Sequence, residues 1–248
     1  MGVPDLNRQK IKQWSEELGL FFFIRADEPR RRHFATRGVS ALAGYMTHVV
    51  EQKAKSPDDK LISLFLEAEA KGTITRDDVV ANCVLLAFGG HETTMNLIAN
   101  GTLALTRHPD QWKRLKEDPT MVKSAIEELL RYDGSVKTTV RWAREDVEVG
   151  GETIKAGQRV LLGLSAANRD PGKFDEPDAL DLTRDPNLHV AFGQGIHVCV
   201  GAPLARLEAQ EAFAALTERF DVPDIVSEDY EYWPTVIGRS LKSLEVRF

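Results

Sequence analysis

Apolar residues recur at helical spacing through the first half of the chain. Leu6, Ile11, Trp14 and Leu18 mark one face of a helix over Asp5–Leu18, with Pro4 at its edge. A dense apolar run, Leu18–Ile24, leads into a polar and basic stretch, Arg25–His33, that reads as a connection. Phe34–Lys55 and Asp58–Ala70 give two further helices, the second closed by Gly72 and Thr73. Thr75-Arg-Asp-Asp78 places a hydroxyl cap and carboxylates at a helix start. The run that follows, Val79–Leu105, is apolar nearly all round, which predicts a central helix buried on every side. Pro109–Leu115 and Thr120–Tyr132 complete this helical part.

Beyond Gly134 the period changes. Val136–Val140, Val147–Val149 and Gln158–Leu164 read as short strands punctuated by Gly150-Gly151 and Gly157. Ala202–Phe220 returns to a helical pattern, with Leu204, Leu207, Ala212, Phe213 and Leu216 as its apolar stripe, and short β-like segments end the chain. The fold class is therefore mainly α with small β-sheets, in one domain over residues 1–248.

Composition narrows the partners rather than the fold. The 248 residues carry 28% charged and 42% hydrophobic side chains and a formal net charge of −6, with no basic block, which argues against nucleic acid. The longest dense apolar run near the start is too short to span a bilayer and lacks the flanks of a signal peptide. Cys83 and Cys199 are the only cysteines and sit in unrelated contexts, so a disulfide framework is not expected and a reducing cytoplasm fits. The six histidines are scattered, with no paired-cysteine or His-Glu-x-x-His spacing, and zinc is rejected. Cys83, within an apolar run, reads as core.

The strongest chemical pattern is Phe192-Gly193-Gln-Gly195-Ile-His197-Val-Cys199-Val-Gly201, directly before the last helix. Glycines permit a tight turn and close approach to a flat ligand, and a helix start beyond the cysteine favours thiolate over thiol. A lone thiolate suits haem iron better than zinc, which takes several protein ligands. These ten positions resemble the haem-ligand loop of cytochromes P450, against the bland reading of a small buried cysteine among glycines.

The resemblance extends along the chain. Gly89-Gly90-His91-Glu92-Thr93-Thr94 interrupts the apolar helix with two glycines, costing about 1 kcal/mol each relative to alanine, and with polar groups that need partners. Taken alone this is equally a kink with a satisfied Glu–Thr pair; by the resemblance it opens room for dioxygen, with Thr93 hydrogen-bonding the oxygen species and Glu92 relaying protons. Glu128-Leu-Leu-Arg131 puts a carboxylate and a guanidinium on one helix face, which alone reads as a solvated pair. With Arg184 it matches the family's buried network that braces the cysteine loop. His197 and Arg141 match positions that hold the haem propionates, although Arg141 also reads as an exposed strand arginine.

The resemblance thus implies a P450 fold and haem b, iron protoporphyrin IX, ligated by Cys199. It implies a monooxygenase acting on a small organic substrate, with electrons from a ferredoxin or flavodoxin and no membrane partner. It covers only the later part of a family member, so an N-terminally truncated fold is expected, with self-association or a complementing N-terminal segment. The competing expectation is a truncated, catalytically silent haem-binding or accessory interaction protein.

Overall fold

The computed structural model describes residues 1–3, 7–23 and 30–248. Two compact units emerge, residues 1–92 and residues 93–248.

In the first unit, α1 (Arg8–Phe23), α2 (Arg31–Lys55), α3 (Leu61–Ala70) and the opening of α4 (Arg76–Arg107) surround one core. Leu42, Met46, Val49 and Val50 form the buried stripe of α2, at spacings of four, three and one, and meet Ile62, Val79, Cys83 and Val84. Cys83 is core, and burial pushes its thiol pKa up. The start of α4 is capped reciprocally. The Asp78 amide donates to Thr75 Oγ1 at 3.2 Å, and Asp78 Oδ2 accepts from the Thr75 amide at 2.9 Å. Helix α1 runs to Phe23 rather than stopping at Leu18, because the apolar run continues the helical period instead of ending it. Helix α2 starts at Arg31, so the end of the expected Arg25–His33 connection is helical; residues 24–29 lie outside the described part, as do Pro4, Asp5 and Leu6.

In the second unit, α5 (Pro109–Glu117), α6 (Val122–Asp133) and α8 (Ala202–Arg219) pack around Leu97, Leu105, Trp112, Ile126, Leu129, Ala209 and Phe213. Gly101 in α4 admits the Phe213 ring, whose Cζ would lie 2.7 Å from a Cβ there. Strands β1 (Thr138–Trp142) and β4 (Arg159–Gly163) pair antiparallel from Thr138↔Gly163 to Trp142↔Arg159. Strands β2 (Val147–Val149) and β3 (Glu152–Ile154) form a hairpin turned by Gly150 and Gly151, and β5 (Asp224–Ile225) pairs with β6 (Val246–Arg247). A single turn, α7 (Leu164–Ala167), follows β4.

One expectation is corrected. Helix α4 is closed on all sides only from Asn100 to Leu105; in its first half Ala81, Leu85, Gly89 and Gly90 are exposed, Leu85 by 62%. Its near-continuous apolar sequence reflects neighbours on one side there and on every side only later. Among the described residues, no helix is long and apolar enough to cross a membrane.

Candidate haem-thiolate site

Two adjacent carboxylates on α6 organise the site. Glu128 is fully buried and grips Arg131 with both oxygens at 2.8 Å, an i, i+3 pair whose side chains have no exposed surface. Arg131 spends its remaining donors on the carbonyls of Asn168, Pro177 and Ala179, so all five N–H groups are used. Glu128 also accepts from Arg184 Nε at 3.2 Å, Asn187 Nδ2 at 3.0 Å and the Asp181 amide at 3.0 Å. A buried charge pair is tolerated only when its hydrogen-bonding capacity is filled, and this one is.

Glu127 serves the other side. It takes Arg206 of α8 in a two-pronged contact at 2.7 and 2.9 Å and His189 Nε2 at 3.0 Å. The Ala191 amide donates to His189 Nδ1 at 3.2 Å, which leaves Nε2–H to donate to the carboxylate. Burial alone would raise the Glu127 pKa; the bonds from His189 and Arg206 outweigh it and hold the value at about 2.

These anchors hold the ends of the cysteine loop. The Arg206 guanidinium stacks on Phe192, 4.6 Å from the ring centroid. Asn168, whose carbonyl binds Arg131, accepts the Val190 amide on its side-chain oxygen at 2.8 Å. Gly193 and Gly195 take φ of 71° and 73°, a region that side chains with a Cβ rarely enter, and turn the chain back. The Cys199 amide then donates to the Phe192 carbonyl at 3.0 Å, closing the loop. The Cys199 carbonyl accepts from Ala202, the first residue of α8, and a Cβ at Gly201 would stand 3.7 Å from Cys199 Sγ.

The thiol of Cys199 is exposed, and so are its apolar neighbours: Ile196 by 96%, Val200 by 84%, and Val198, Leu204 and Leu207 by more than half. An exposed single thiol in a stretch of exposed aliphatic residues fits the face of a flat apolar macrocycle carrying its own metal. Among the described residues, no group of three or more His, Cys, Asp and Glu could hold a free metal ion, so the donor set matches iron borne by haem, not a protein-caged ion.

The other expected residues are placed as follows. His197 ends the 3-10 turn Gly195–His197 and is exposed. Arg141 lies half-buried on β1, with Nη1 bonded to Thr139 Oγ1 at 3.0 Å and to the Val140 carbonyl at 2.8 Å. Thr93 is half-buried in the second unit, whereas Gly89, Gly90 and the buried Glu92 belong to the first, with Glu92 Oε1 at 3.7 Å from His91 Nδ1. Sequence reasoning missed Glu127, His189, Arg206, Asn187 and Asn168. The doubled glutamate before Leu-Leu-Arg131 was the available clue, since two adjacent carboxylates on a buried helix require two sets of partners.

Comparison with known proteins bears on the chain as a whole. The family model described as Cytochrome P450 matches residues 5–232. The chain is 40% identical over 252 residues to the biotin biosynthesis cytochrome P450 of Bacillus subtilis (strain 168), covering 100% of the chain and 62% of the relative. It is 37% identical over 255 residues to the cytochrome P450 monooxygenase PikC of Streptomyces venezuelae, covering 100% and 59%. A crystal structure of P450BioI with an acyl carrier protein ligated to hexadec-9Z-enoic acid superposes with a TM-score of 0.93 at 38% identity, covering 100% of this chain and 64% of that one. The chain thus spans about three-fifths of the length of the curated relatives it matches.

Proposed function

This chain belongs to the cytochrome P450 family, whose members bind haem, and on that premise we propose that it is the catalytic part of a haem-thiolate monooxygenase with Cys199 as the axial iron ligand. The observation that carries the reading is the exposed Cys199 thiol, set in a glycine turn between two arginine-braced anchors, in a stretch of chain with exposed aliphatic side chains on both sides of it. Bound haem supplies activation of dioxygen and insertion of one of its atoms into a small organic substrate. The chain's own residues position and protonate. The α6 network fixes the loop, His197 and Arg141 offer N–H donors to the propionates, and Phe192, Gly193 and Gly201 shape the bed beside the ring. Gly89 and Gly90 leave the α4 surface without side chains, Thr93 presents a hydroxyl, and Glu92 offers a carboxyl group for proton relay.

Residues 1–248 act as one catalytic domain, in the cytoplasm, with electrons delivered by a ferredoxin or flavodoxin. The relatives named as P450 enzymes of biosynthesis and as a monooxygenase support this over a silent accessory protein. The test is turnover of the haem-loaded chain with a reductase and ferredoxin under isotopically labelled dioxygen, on compounds first selected by their perturbation of the haem spectrum. One labelled oxygen atom in the product is expected, and Thr93→Ala releases more peroxide per dioxygen consumed. Unlabelled product, or haem binding without dioxygen consumption, overturns the proposal.

A further inference from the structure

A second polar centre lies in residues 93–248, apart from the cysteine loop and its anchors. Where α4 and α6 end, a cavity of about 120 Å³ is lined by Arg107, Arg169 and Arg239, with His108, Tyr132, Tyr232 and Asp133. Each of the three guanidiniums stacks on a tyrosine: Arg239 on Tyr232 at 4.2 Å, Arg169 on Tyr132 at 4.4 Å and Arg107 on Tyr230 at 5.3 Å. Stacking fixes the plane of each fork and leaves its edge to bind.

The charges do not balance inside the cavity. Asp133 is the single acid of its lining and is already held by Arg239 Nε. The other two arginines reach outward, Arg107 to Glu228, which is 71% exposed, and Arg169 to Asp178, which is 86% exposed. Acids that exposed hold their partners weakly. Donors also remain. Among the described residues, hydrogen bonds engage Nε and one Nη of Arg239, both Nη atoms of Arg169 and one Nη of Arg107. One Nη of Arg239, Nε of Arg169, and Nε and the second Nη of Arg107 are left over. Burial raises the Asp133 pKa even with three arginines near it.

We propose that this cavity binds a small oxyanion of the phosphate or carboxylate type through Arg107, Arg169 and Arg239. The Arg239 amide bonds to the Ser135 carbonyl at 2.8 Å, and Lys137 NH bonds to Ile237 at 2.7 Å. A bound oxyanion therefore tightens the segment leading from α6 into β1, the strand that carries Arg141.

The test is calorimetric titration of the whole chain with inorganic phosphate, with ionic strength held by chloride, beside its melting temperature over the same range. Saturable binding and a saturable rise in melting temperature are expected. Arg107→Gln, at a half-exposed side chain outside the haem-thiolate site, should weaken binding at least about tenfold, the loss of one charge-assisted hydrogen bond, while melting without phosphate is unchanged. Acetate and adenosine monophosphate form the second arm. Tighter binding of the nucleotide assigns the oxyanion to a larger organic ligand, and equal binding assigns it to free phosphate. Non-saturable heats, an effect matched by chloride, or equal affinity in Arg107→Gln overturns the proposal and leaves the arginines a purely structural role.

Discussion

Glu127 and Glu128 are neighbours in sequence that hold different partners from α6, and their environments predict different failures. Glu128 and Arg131 have no exposed surface, so Arg131→Ala removes the two-pronged partner of a buried carboxylate, leaving it Arg184, Asn187 and the Asp181 amide, and should cost about 3 to 5 kcal/mol. Chemical denaturation reads this directly, and a near-normal unfolding midpoint would show the pair to be dispensable. Glu127 is an acid-sensitive group. Its pKa falls from an ordinary 4.5 to about 2 in the folded chain, so its stabilisation is complete above pH 4.5 and is lost as pH falls toward 2. Glu127→Gln should flatten that part of the acid-unfolding curve; superimposable curves for the two proteins would contradict the assignment. The doubled glutamate hinted at a second set of partners for Glu127, but their identity was not legible, because His189 and Arg206 lie 62 and 79 residues away and no local spacing reports such contacts. The Glu128–Arg131 contact was legible because the two share one helix face, whereas its burial followed only from the family resemblance.

At the scale of elements, the helical period reported existence better than extent. Thr75 and Asp78 capped α4 where a hydroxyl and carboxylates were expected, because capping is local chemistry. The end of α1 was misplaced because an apolar run reads alike as helix or as its successor, and β3 was missed because three residues carry too little period to detect. The burial of α4 was overestimated along its first half for a related reason: apolar composition states what a surface tolerates, not what covers it. That exposed stretch gives a two-sided prediction. No described atom lies within 4 Å of a Cβ built at Gly90, so Gly90→Ala should raise stability by up to about 1 kcal/mol through helix propensity. The same substitution should lower haem affinity if the glycine pair makes room for the cofactor and its dioxygen. Melting and haem titration on one preparation separate the two effects, and a variant with unchanged haem affinity would reduce Gly90 to a helix defect.

The molecule as a whole leaves much apolar surface uncovered. Leu188 is 81% exposed and Ile196 96%, and Leu85, Val200, Leu204 and Leu207 each exceed half. Aliphatic side chains exposed in such numbers mark partner surfaces or self-association. Sedimentation velocity should find the cofactor-free chain associating with rising concentration, and haem should reduce that tendency by covering the side chains around Cys199. A monomer at all concentrations, with or without haem, would contradict this. The family was legible from ten residues around Cys199 because ligand geometry constrains sequence tightly there, whereas the arginine-lined cavity is assembled from α4, α6, the turn after α7 and the chain's last segments and leaves no contiguous pattern. The most direct test of the central claim is the reduced, carbon-monoxide-treated spectrum of the haem-loaded chain beside that of Cys199→Ser. A thiolate-type spectrum in the first and its loss in the second are predicted; an unchanged spectrum in Cys199→Ser would contradict the assignment of Cys199 as the iron ligand.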